Sequence, residues 1–401
     1  MKTRIILGAI LLIFLSIFVL QGSAIFNRDS VVTIYDGKNI ILKKTYKIDT
    51  KTLLKTKILH KGSYKRLYDK LAEKDSNLLE QINKDLSKDV LALPKKYDKK
   101  PIDAKVKYLG NGKFIYQMEE IGYTINVDKV VKAIFYALDS DGKVQLAKDY
   151  ITPEISKKHL EESTQKIAEF STSFAGSSAQ RKHNIALACK KIDGSIVQSL
   201  DEFSFNETVG PRTEKAGFKV AKIILSGEFV AGVGGGVCQV SSTLYNAWCL
   251  SGLKVLKSAT HSLPVRYVSP GLDAMVASSS DLVLLNDSDS AVYIDAKCIG
   301  ATVKFTLYGK PCGFVVKLKS EVLEILSTNQ YVEEKIEITD WKEEEIFRII
   351  RKPKDGLVSA SYREFYDNDG NLIYKERLRK TVYLAQKGKI VYKYSINSQA
   401  S

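Results

Sequence analysis

The stretch Gly234-Gly235-Gly236-Val237-Cys238-Gln239-Val240-Ser241-Ser242-Thr243-Leu244-Tyr245 turns the chain and then starts a helix. Glycine tolerates sharp and left-handed turns that other residues resist. Apolar residues recur at helical spacing after the cysteine, which predicts a helix over residues 240–250. We therefore expect Cys238 at a helix N-terminus, where free N–H groups and the helix dipole favour the nucleophilic thiolate.

The glycine-cysteine turn also has blander interpretations. Three glycines before a helix often serve only close backbone packing, and Cys238 would then be a small buried residue. Gly232-Val233-Gly234-Gly235-Gly236 also has the glycine content of a phosphate loop. No Gly-Lys-Ser/Thr follows it, so the sequence does not favour nucleotide binding.

Cysteine catalysis needs a thiolate, a base and donors for an oxyanion. The chain has four histidines, namely His60, His159, His183 and His261. The first two lie in Lys-rich segments and the third follows a basic pair, whereas His261 comes 23 residues after Cys238 and before a predicted strand at 265–268. Papain-type and NlpC-type cysteine peptidases have the same order along the chain, with a cysteine at a helix N-terminus followed by a histidine on a strand. We expect the backbone N–H groups of Cys238 and Gln239 to donate hydrogen bonds to the oxyanion. The alternative for His261 is a structural role, as a polar side chain with satisfied hydrogen bonds.

The five cysteines are odd in number, so at least one is free or paired between chains. Cys238 and Cys249 are 11 residues apart, and on one helix they would stand roughly 16 Å from each other. A disulfide needs Cα atoms closer than about 7 Å, so Cys238 is expected to be a free thiol. No Cys-x-x-Cys pair or Cys/His cluster indicates a metal site, and we expect no metal and no cofactor.

The N-terminus predicts export. Met1-Lys2-Thr3-Arg4 is positive, residues 5–20 are apolar, and Gly22-Ser23-Ala24 is a candidate cleavage site for a secretory signal. Residues 5–26 are also long enough to cross a bilayer. We expect an uncleaved anchor in the cytoplasmic membrane with the rest of the chain extracytoplasmic, and the protein would be secreted if the signal were cleaved.

The net charge of +15 is unevenly distributed. Residues 183–309 hold eleven Lys and Arg against eleven Asp and Glu, so the excess lies in the flanking regions. A basic exported chain suits an anionic membrane or cell wall. Nucleic acid is not an expected partner because no recognition helix, zinc finger or stacking motif is present. The sequence does not fix the oligomeric state.

The remaining patterns predict an α+β, multi-domain chain. An N-terminal membrane helix or signal over 1–26 precedes a mixed α+β domain over 27–180, an α+β domain over 181–309 and a β-rich region over 310–401. Within the domain over 27–180, a Leu-Gly-Asn-Gly turn predicts a hairpin over 105–116. Asn126 or Asp128 is expected to cap the helix that follows.

Four motifs resemble the VanW family. They are Phe203-Ser204-Phe205-Asn206-Glu207-Thr208-Val209-Gly210-Pro211-Arg212-Thr213, Gly234 to Tyr245, His261-Ser262-Leu263-Pro264-Val265-Arg266-Tyr267-Val268, and Gly271-Leu272-Asp273-Ala274. They appear in the family's order, and the resemblance covers about Arg181 to Gly309. Ser199-Leu200-Asp201-Glu202 replaces the usual Pro-Gly-Glu turn, and Met275 replaces a β-branched residue. Upstream, the segment 121–138 resembles the peptidoglycan-binding domain that often precedes VanW.

The resemblance implies a cell-envelope protein, from a family named after glycopeptide-resistance clusters. VanW-domain proteins are associated with L,D-transpeptidase activity, with the motif cysteine as nucleophile. Peptidoglycan stem peptides would be the partners of Cys238 and His261. The Ser-His-Gly-Cys signature of better-known L,D-transpeptidases is absent, so shared chemistry would be convergent. A cysteine peptidase or amidase, or a non-catalytic peptidoglycan-binding protein, remains an alternative.

Other residues within these motifs have less specific candidate roles. Arg212 would bind a stem-peptide carboxylate, or fix its own loop. Asp273 would orient His261, with Asp281 as the competing candidate and a structural role open to both. The other candidate substrate-binding residues are Asn206, Gln239, Ser241, Ser242, Arg266 and Tyr267, and the supporting residues are Gly234, Gly235 and Gly236.

Overall fold

A computed structural model describes residues 30–46, 68–69, 71–73, 76–93, 97–138, 142–225, 228–336 and 344–393. The expected signal or membrane anchor over residues 1–26 lies outside these ranges. Among the described helices, none is long and apolar enough to cross a membrane. The described chain is mixed α+β and rich in strands, as the sequence predicts.

The helices and strands, in chain order, are β1 (Ser30–Asp36), β2 (Asn39–Tyr46), α1 (Ser76–Leu91), β3 (Lys105–Tyr108), β4 (Phe114–Gln117), β5 (Gly122–Ile125), α2 (Val127–Ala137), β6 (Lys143–Gln145), β7 (Lys148–Ile151), α3 (Lys157–Glu162), β8 (Gln165–Ser173), α4 (Ala179–Ile192), β9 (Ile196–Val197), β10 (Glu202–Ser204), α5 (Phe205–Val209), β11 (Val220–Leu225), β12 (Glu228–Val233), α6 (Val237–Leu250), β13 (Lys254–Lys257), β14 (Val283–Leu285), β15 (Val292–Ile299), β16 (Thr302–Gly309), β17 (Val315–Leu326), β18 (Tyr331–Ile336), β19 (Phe347–Arg351), β20 (Gly356–Tyr366), β21 (Leu372–Tyr383) and β22 (Gly388–Lys393).

The chain forms two compact units. Among the described residues, the first unit comprises those up to Ala104 and those from Met118 to Ser156, and the second comprises those from Lys105 to Gln117 and from Lys157 onward. The predicted hairpin is confirmed as β3 and β4, which pair antiparallel and belong to the second unit although they interrupt the first in sequence. The domain boundaries expected from the sequence stay a prediction.

The first unit packs α1 and α2 together beside the sheet β2-β1-β6, in which β6 runs parallel to β1. Val130, Ile134 and Phe135 project from α2 into its core. Of the two predicted caps, Asn126 is confirmed, because its side chain accepts a hydrogen bond of 2.8 Å from the Lys129 N–H. This satisfies one of the donors left open at a helix start.

The second unit is built around α6, which packs against β8 and β16 of the sheet β8-β16-β15-β9. Nearly every residue of α6 is buried, including Trp248, whose indole N–H donates to the Lys254 carbonyl at 3.0 Å. A helix buried on all sides is held at both ends and along its length by neighbouring elements. The start of α6 is therefore fixed relative to the loops around it.

The region after residue 310 is β-rich, as expected, with the sheets β17-β20-β21 and β18-β22-β19. The segment Asp367-Asn368-Asp369-Gly370 forms the turn between β20 and β21, and Asp367 accepts the Asn371 N–H at 2.8 Å. One expected strand is wrong: residues 265–268 form irregular backbone. Their apolar and polar alternation finds no neighbouring strand edge to pair with in the described chain.

Candidate active site

The glycine triplet sets the start of α6. Gly236 is the residue before the helix and has φ 108°, a left-handed conformation that costs other residues energy. A Cβ there would lie 2.9 Å from the Cγ of Arg181, and a Cβ on Gly235 would lie 2.6 Å from the Lys222 carbonyl. The helix begins at Val237, three residues earlier than predicted, because the turn itself supplies its first hydrogen bonds. Cys238 is thus the second helical residue.

We expect Gly236→Ala to destabilise the protein by about 2–4 kcal/mol, from left-handed strain and overpacking together. Gly194→Ala is the matched control, because Gly194 has φ 83° and open space around its Cα. That control should cost only about 1–2 kcal/mol. Urea unfolding measures both; equal losses would show that the close approach to Arg181 does not matter.

Cys238 is a free, partly exposed thiol that packs against the hydrophobic core of the second unit. Its Sγ lies 3.4 Å from the Val276 carbonyl oxygen, to which the thiol donates. Burial by itself would raise the pKa of Cys238, but the hydrogen bond and charge of His261 and the charge of Arg212 together lower it. The site therefore favours the thiolate.

His261 is held by Asp273 and faces Cys238. The Asp273 carboxylate is fully buried, and its Oδ2 accepts the His261 ring Nδ1 at 2.6 Å and the His261 backbone N–H at 2.7 Å. Burial lowers the pKa of His261, but the hydrogen bonds with Asp273 and Cys238 outweigh it and raise that pKa to about 9. Burial raises the pKa of Asp273, yet the hydrogen bonds from His261 and Tyr383 leave it below its usual value. Thiolate, imidazolium and carboxylate are mutually stabilising.

The two acidic candidates have different surroundings. Asp281 accepts the Ser204 hydroxyl at 2.6 Å and the Asn206 N–H at 2.9 Å, so it organises the start of α5. Asp273 is the carboxylate that contacts His261. The structure thus selects between the candidates that the sequence left open.

Arg212 borders the thiol. A Cβ on Gly234 would lie 3.0 Å from the Arg212 Cβ, so the glycine makes room for this arginine. The Nη2 of Arg212 is buried and has no hydrogen-bond partner among the described residues. Burial lowers the pKa of Arg212, and the negative charges of Cys238 and Asp281 oppose that effect. A buried, unpaired guanidinium donor beside a thiolate is suited to an anionic ligand.

Arg181 is a site residue that the motifs did not single out. Its guanidinium donates to Gln239 Oε1 and to Ser177 Oγ, both at 2.8 Å. Burial lowers the pKa of Arg181, while Tyr267 and Cys238 partly counteract this. Tyr267 is half-buried and interacts with Ser242, near Cys238. No local pattern distinguished Arg181 from the many other basic residues.

Several predicted substrate-binding side chains already have protein partners. Gln239 donates to Thr172 Oγ1 at 3.0 Å, and its backbone N–H donates to the Gly236 carbonyl at 3.0 Å. The expected oxyanion role of the Gln239 N–H is therefore wrong for this conformation, because that donor is occupied. Ser242 Oγ donates to the Cys238 carbonyl at 2.7 Å.

The other candidates lie around this core. Ser241 Oγ donates to the Ala274 carbonyl at 2.6 Å, and Asn206 Nδ2 donates to the carbonyls of Ala277 and Ser280, each at 3.0 Å. Arg266 is exposed, and within the described chain no hydrogen bond joins it to the other site residues. Substrate contacts by these side chains stay a prediction.

Tyr383 completes the arrangement from the far end of the chain. Its hydroxyl donates to Asp273 Oδ1 at 2.5 Å and accepts the Gly271 N–H at 2.7 Å. It belongs to β21, 110 residues after Asp273, and nothing in its local sequence indicates a role in this site.

Comparison with known proteins places this unit in a family. Residues 180–308 match the model described as "VanW like protein", and residues 61–145 match the one described as "Putative peptidoglycan binding domain". The chain is 36% identical over 227 residues to "Uncharacterized protein YoaR" of Bacillus subtilis (strain 168), covering 55% of this chain and 73% of that protein.

Two further likenesses are weaker. "Vancomycin B-type resistance protein VanW" of Enterococcus faecalis (strain ATCC 700802 / V583) is 27% identical over 128 residues, covering 29% of this chain and 46% of that protein. A solved chain titled "Crystal structure of HP0197-G5" shares 19% identity over 20% of this chain and 96% of its own, with a TM-score of 0.11, which is too low to support an argument about the fold. The Bacillus subtilis relative is 36% identical and is covered over 73% of its length, and the VanW-like match includes the Cys-His-Asp site. This chain therefore belongs to the family of VanW-like proteins.

Proposed function

We propose that this VanW-like protein cross-links peptidoglycan stem peptides as a cysteine L,D-transpeptidase. The observation that carries the proposal is the placement of His261, bonded to Asp273 through Nδ1, beside Cys238 at the start of α6, where the pKa of the thiol is lowered and that of the imidazole is raised. Membership of the VanW-like family and the peptidoglycan-binding match support a cell-wall-associated role. Anchoring by residues 1–26 is part of the same proposal.

In the first step the Cys238 thiolate attacks the carbonyl carbon that follows a diamino acid in the donor stem. The sulfur–carbon bond forms and the carbon–nitrogen bond to the terminal D-alanine breaks. The leaving amine takes a proton from the His261 imidazolium. Because the His261 ring is bonded to Asp273 through Nδ1, its other nitrogen is the one that can serve the thiol and the leaving group.

In the second step a side-chain amine of another stem attacks the thioester carbonyl. The neutral imidazole left by the first step accepts the proton of this amine. The new carbon–nitrogen bond forms, the sulfur–carbon bond breaks, and thiolate and imidazolium are restored. A water molecule in place of the amine would give the alternative hydrolytic activity of a peptidase or amidase.

The negative oxygen formed in both steps needs hydrogen-bond donors. The Cys238 N–H has no acceptor among the described residues and lies at the positive end of a buried helix. It can therefore serve the oxyanion, whereas the Gln239 N–H is occupied by Gly236. Arg212, with its unpaired Nη2, would bind the carboxylate of the terminal D-alanine.

Arg212→Gln is expected to lower kcat/KM for a donor with a free terminal carboxylate by about 10–100-fold, because a charge-assisted hydrogen bond is lost. For the same donor with an amidated terminus, the substitution should change kcat/KM far less. The Lys215→Gln variant, which removes an exposed cation from the same loop, is the matched control and should stay within about twofold of the unmodified protein. Equal losses for both donors would contradict carboxylate recognition by Arg212.

Analysis of reaction products tests the function itself. The purified protein is incubated with tetrapeptide muropeptides, and the products are separated and weighed by mass spectrometry. A cross-linked dimer with release of D-alanine is expected. A trimmed monomer alone would replace transfer with hydrolysis, and the absence of any product from muropeptides of every stem type would favour a non-catalytic binding protein.

A further inference from the structure

The segment that carries Asp273 is held by the sheet β17-β20-β21. Ser320 of β17 donates to the Pro270 carbonyl at 2.6 Å, and Ser361 of β20 donates to the Gly271 carbonyl at 2.8 Å. Gly271 has φ 78°, and a Cβ on it would lie 3.2 Å from the Ser361 Cβ. The sheet thus packs directly on the backbone that precedes the carboxylate.

Tyr383 of β21 fixes the carboxylate itself. A phenol hydroxyl has one hydrogen to donate. Because its oxygen accepts the Gly271 N–H at 2.7 Å, that hydrogen is directed to Asp273 Oδ1 at 2.5 Å. The second oxygen, Oδ2, is then turned toward both donors of His261. Tyr383 and Asp273 are each fully buried, so water does not replace this bond.

Arg379, also on β21, secures the same residue from its backbone. Its guanidinium donates to the Asp273 carbonyl at 3.2 Å and to Ser258 Oγ at 2.8 Å. It also lies over the Tyr245 ring of α6, with 4.7 Å from Cζ to the ring centre. One strand therefore contacts both the Asp273 segment and the helix that carries Cys238.

We propose that Tyr383 is a positioning residue of the active site, so that the C-terminal sheet β17-β20-β21 is part of the catalytic apparatus and not a separate appendage. The proposal rests on the acyl-transfer function of Cys238. Tyr383 acts through Asp273, which it holds in the rotamer that orients and charges His261. Residues 181–309 alone would contain the motif residues but not the group that sets their geometry.

The test is the pH profile of Cys238 alkylation by iodoacetamide in the full chain, read by mass spectrometry of the peptide that carries Cys238. The groups facing the thiol and imidazole are Arg181, Arg212, Tyr267 and Asp273, and only the last contacts Tyr383. For Tyr383→Phe we expect the rate at pH 6.5 to fall about tenfold and the rate at pH 10 to stay unchanged. Transfer should fall in kcat by a similar factor with KM unchanged.

Tyr366→Phe is the matched control, because among the described residues its hydroxyl bonds Glu364 on the same sheet, at 2.8 Å, and not the Asp273 segment. It should leave both rates unchanged. If Tyr383→Phe does not fold, Ser361→Ala replaces it as the test, because it removes the hydrogen bond to the Gly271 carbonyl and leaves the Tyr383 ring intact. We expect the alkylation rate of Cys238 at pH 6.5 to fall about threefold in this variant. If the Tyr383→Phe variant has the same pH profile as Tyr366→Phe, the proposal for Tyr383 is wrong, but the transfer function of Cys238 is unaffected. An unmodified protein whose Cys238 reacts only near pH 8.5 overturns the transfer function and this proposal together.

Discussion

Cys238→Ala is expected to abolish cross-linking, with a loss of at least about 10⁴-fold in kcat. The sulfur forms the covalent intermediate, and no other described group near His261 can replace it as a nucleophile. The free energy of unfolding should change by only about 1 kcal/mol, because a partly exposed thiol is replaced by a methyl group. Activity is measured as dimer formed from purified muropeptides.

The matched control for this loss is Cys249→Ala on the same helix. Cys249 is fully buried and burial raises its pKa to about 11, so it is a packing residue at the opposite end of α6. Its replacement should leave kcat within about threefold of the unmodified protein. If the Cys238→Ala variant still forms cross-linked dimers, Cys238 is not the nucleophile.

His261→Gln is expected to reduce kcat by about 10³-fold, because both the proton donor and the partner of the thiolate are lost. In the unmodified protein the acylation rate should decline as the pH rises through about 9, since the imidazolium that protonates the leaving amine is present only below the pKa of His261. In the variant this alkaline decline should disappear. The reactivity of Cys238 should then require a pH near 8.5 or above.

The control for the histidine is His183→Gln. His183 is exposed and its Nε2 lies 2.8 Å from the Gly217 carbonyl, away from the network of Asp273. This variant should retain the alkaline decline and nearly full kcat. The role of His261 would be wrong if its substitution left the pH profile of acylation unchanged.

The sequence predicted features whose physical cause lies within a few residues. Asn126 caps α2 because its side chain reaches an N–H three residues ahead, and the Leu-Gly-Asn-Gly turn pairs β3 with β4 by local geometry. The glycine turn placed Cys238 at a helix start for the same reason. Local patterns failed at residues 265–268, where alternation indicated a strand but tertiary packing provides no pairing partner in the described chain.

Histidine scarcity and helix geometry selected Cys238 and His261 from the sequence alone. Only the tertiary structure distinguished Asp273 from Asp281 and brought Arg181 and Tyr383 to the site. A hydrogen bond across 110 residues depends on how β21 packs against the Asp273 segment, and no short pattern encodes that packing. The nucleophile was thus determined locally by its turn and helix, whereas the orientation of its partner was decided by a sheet from the end of the chain.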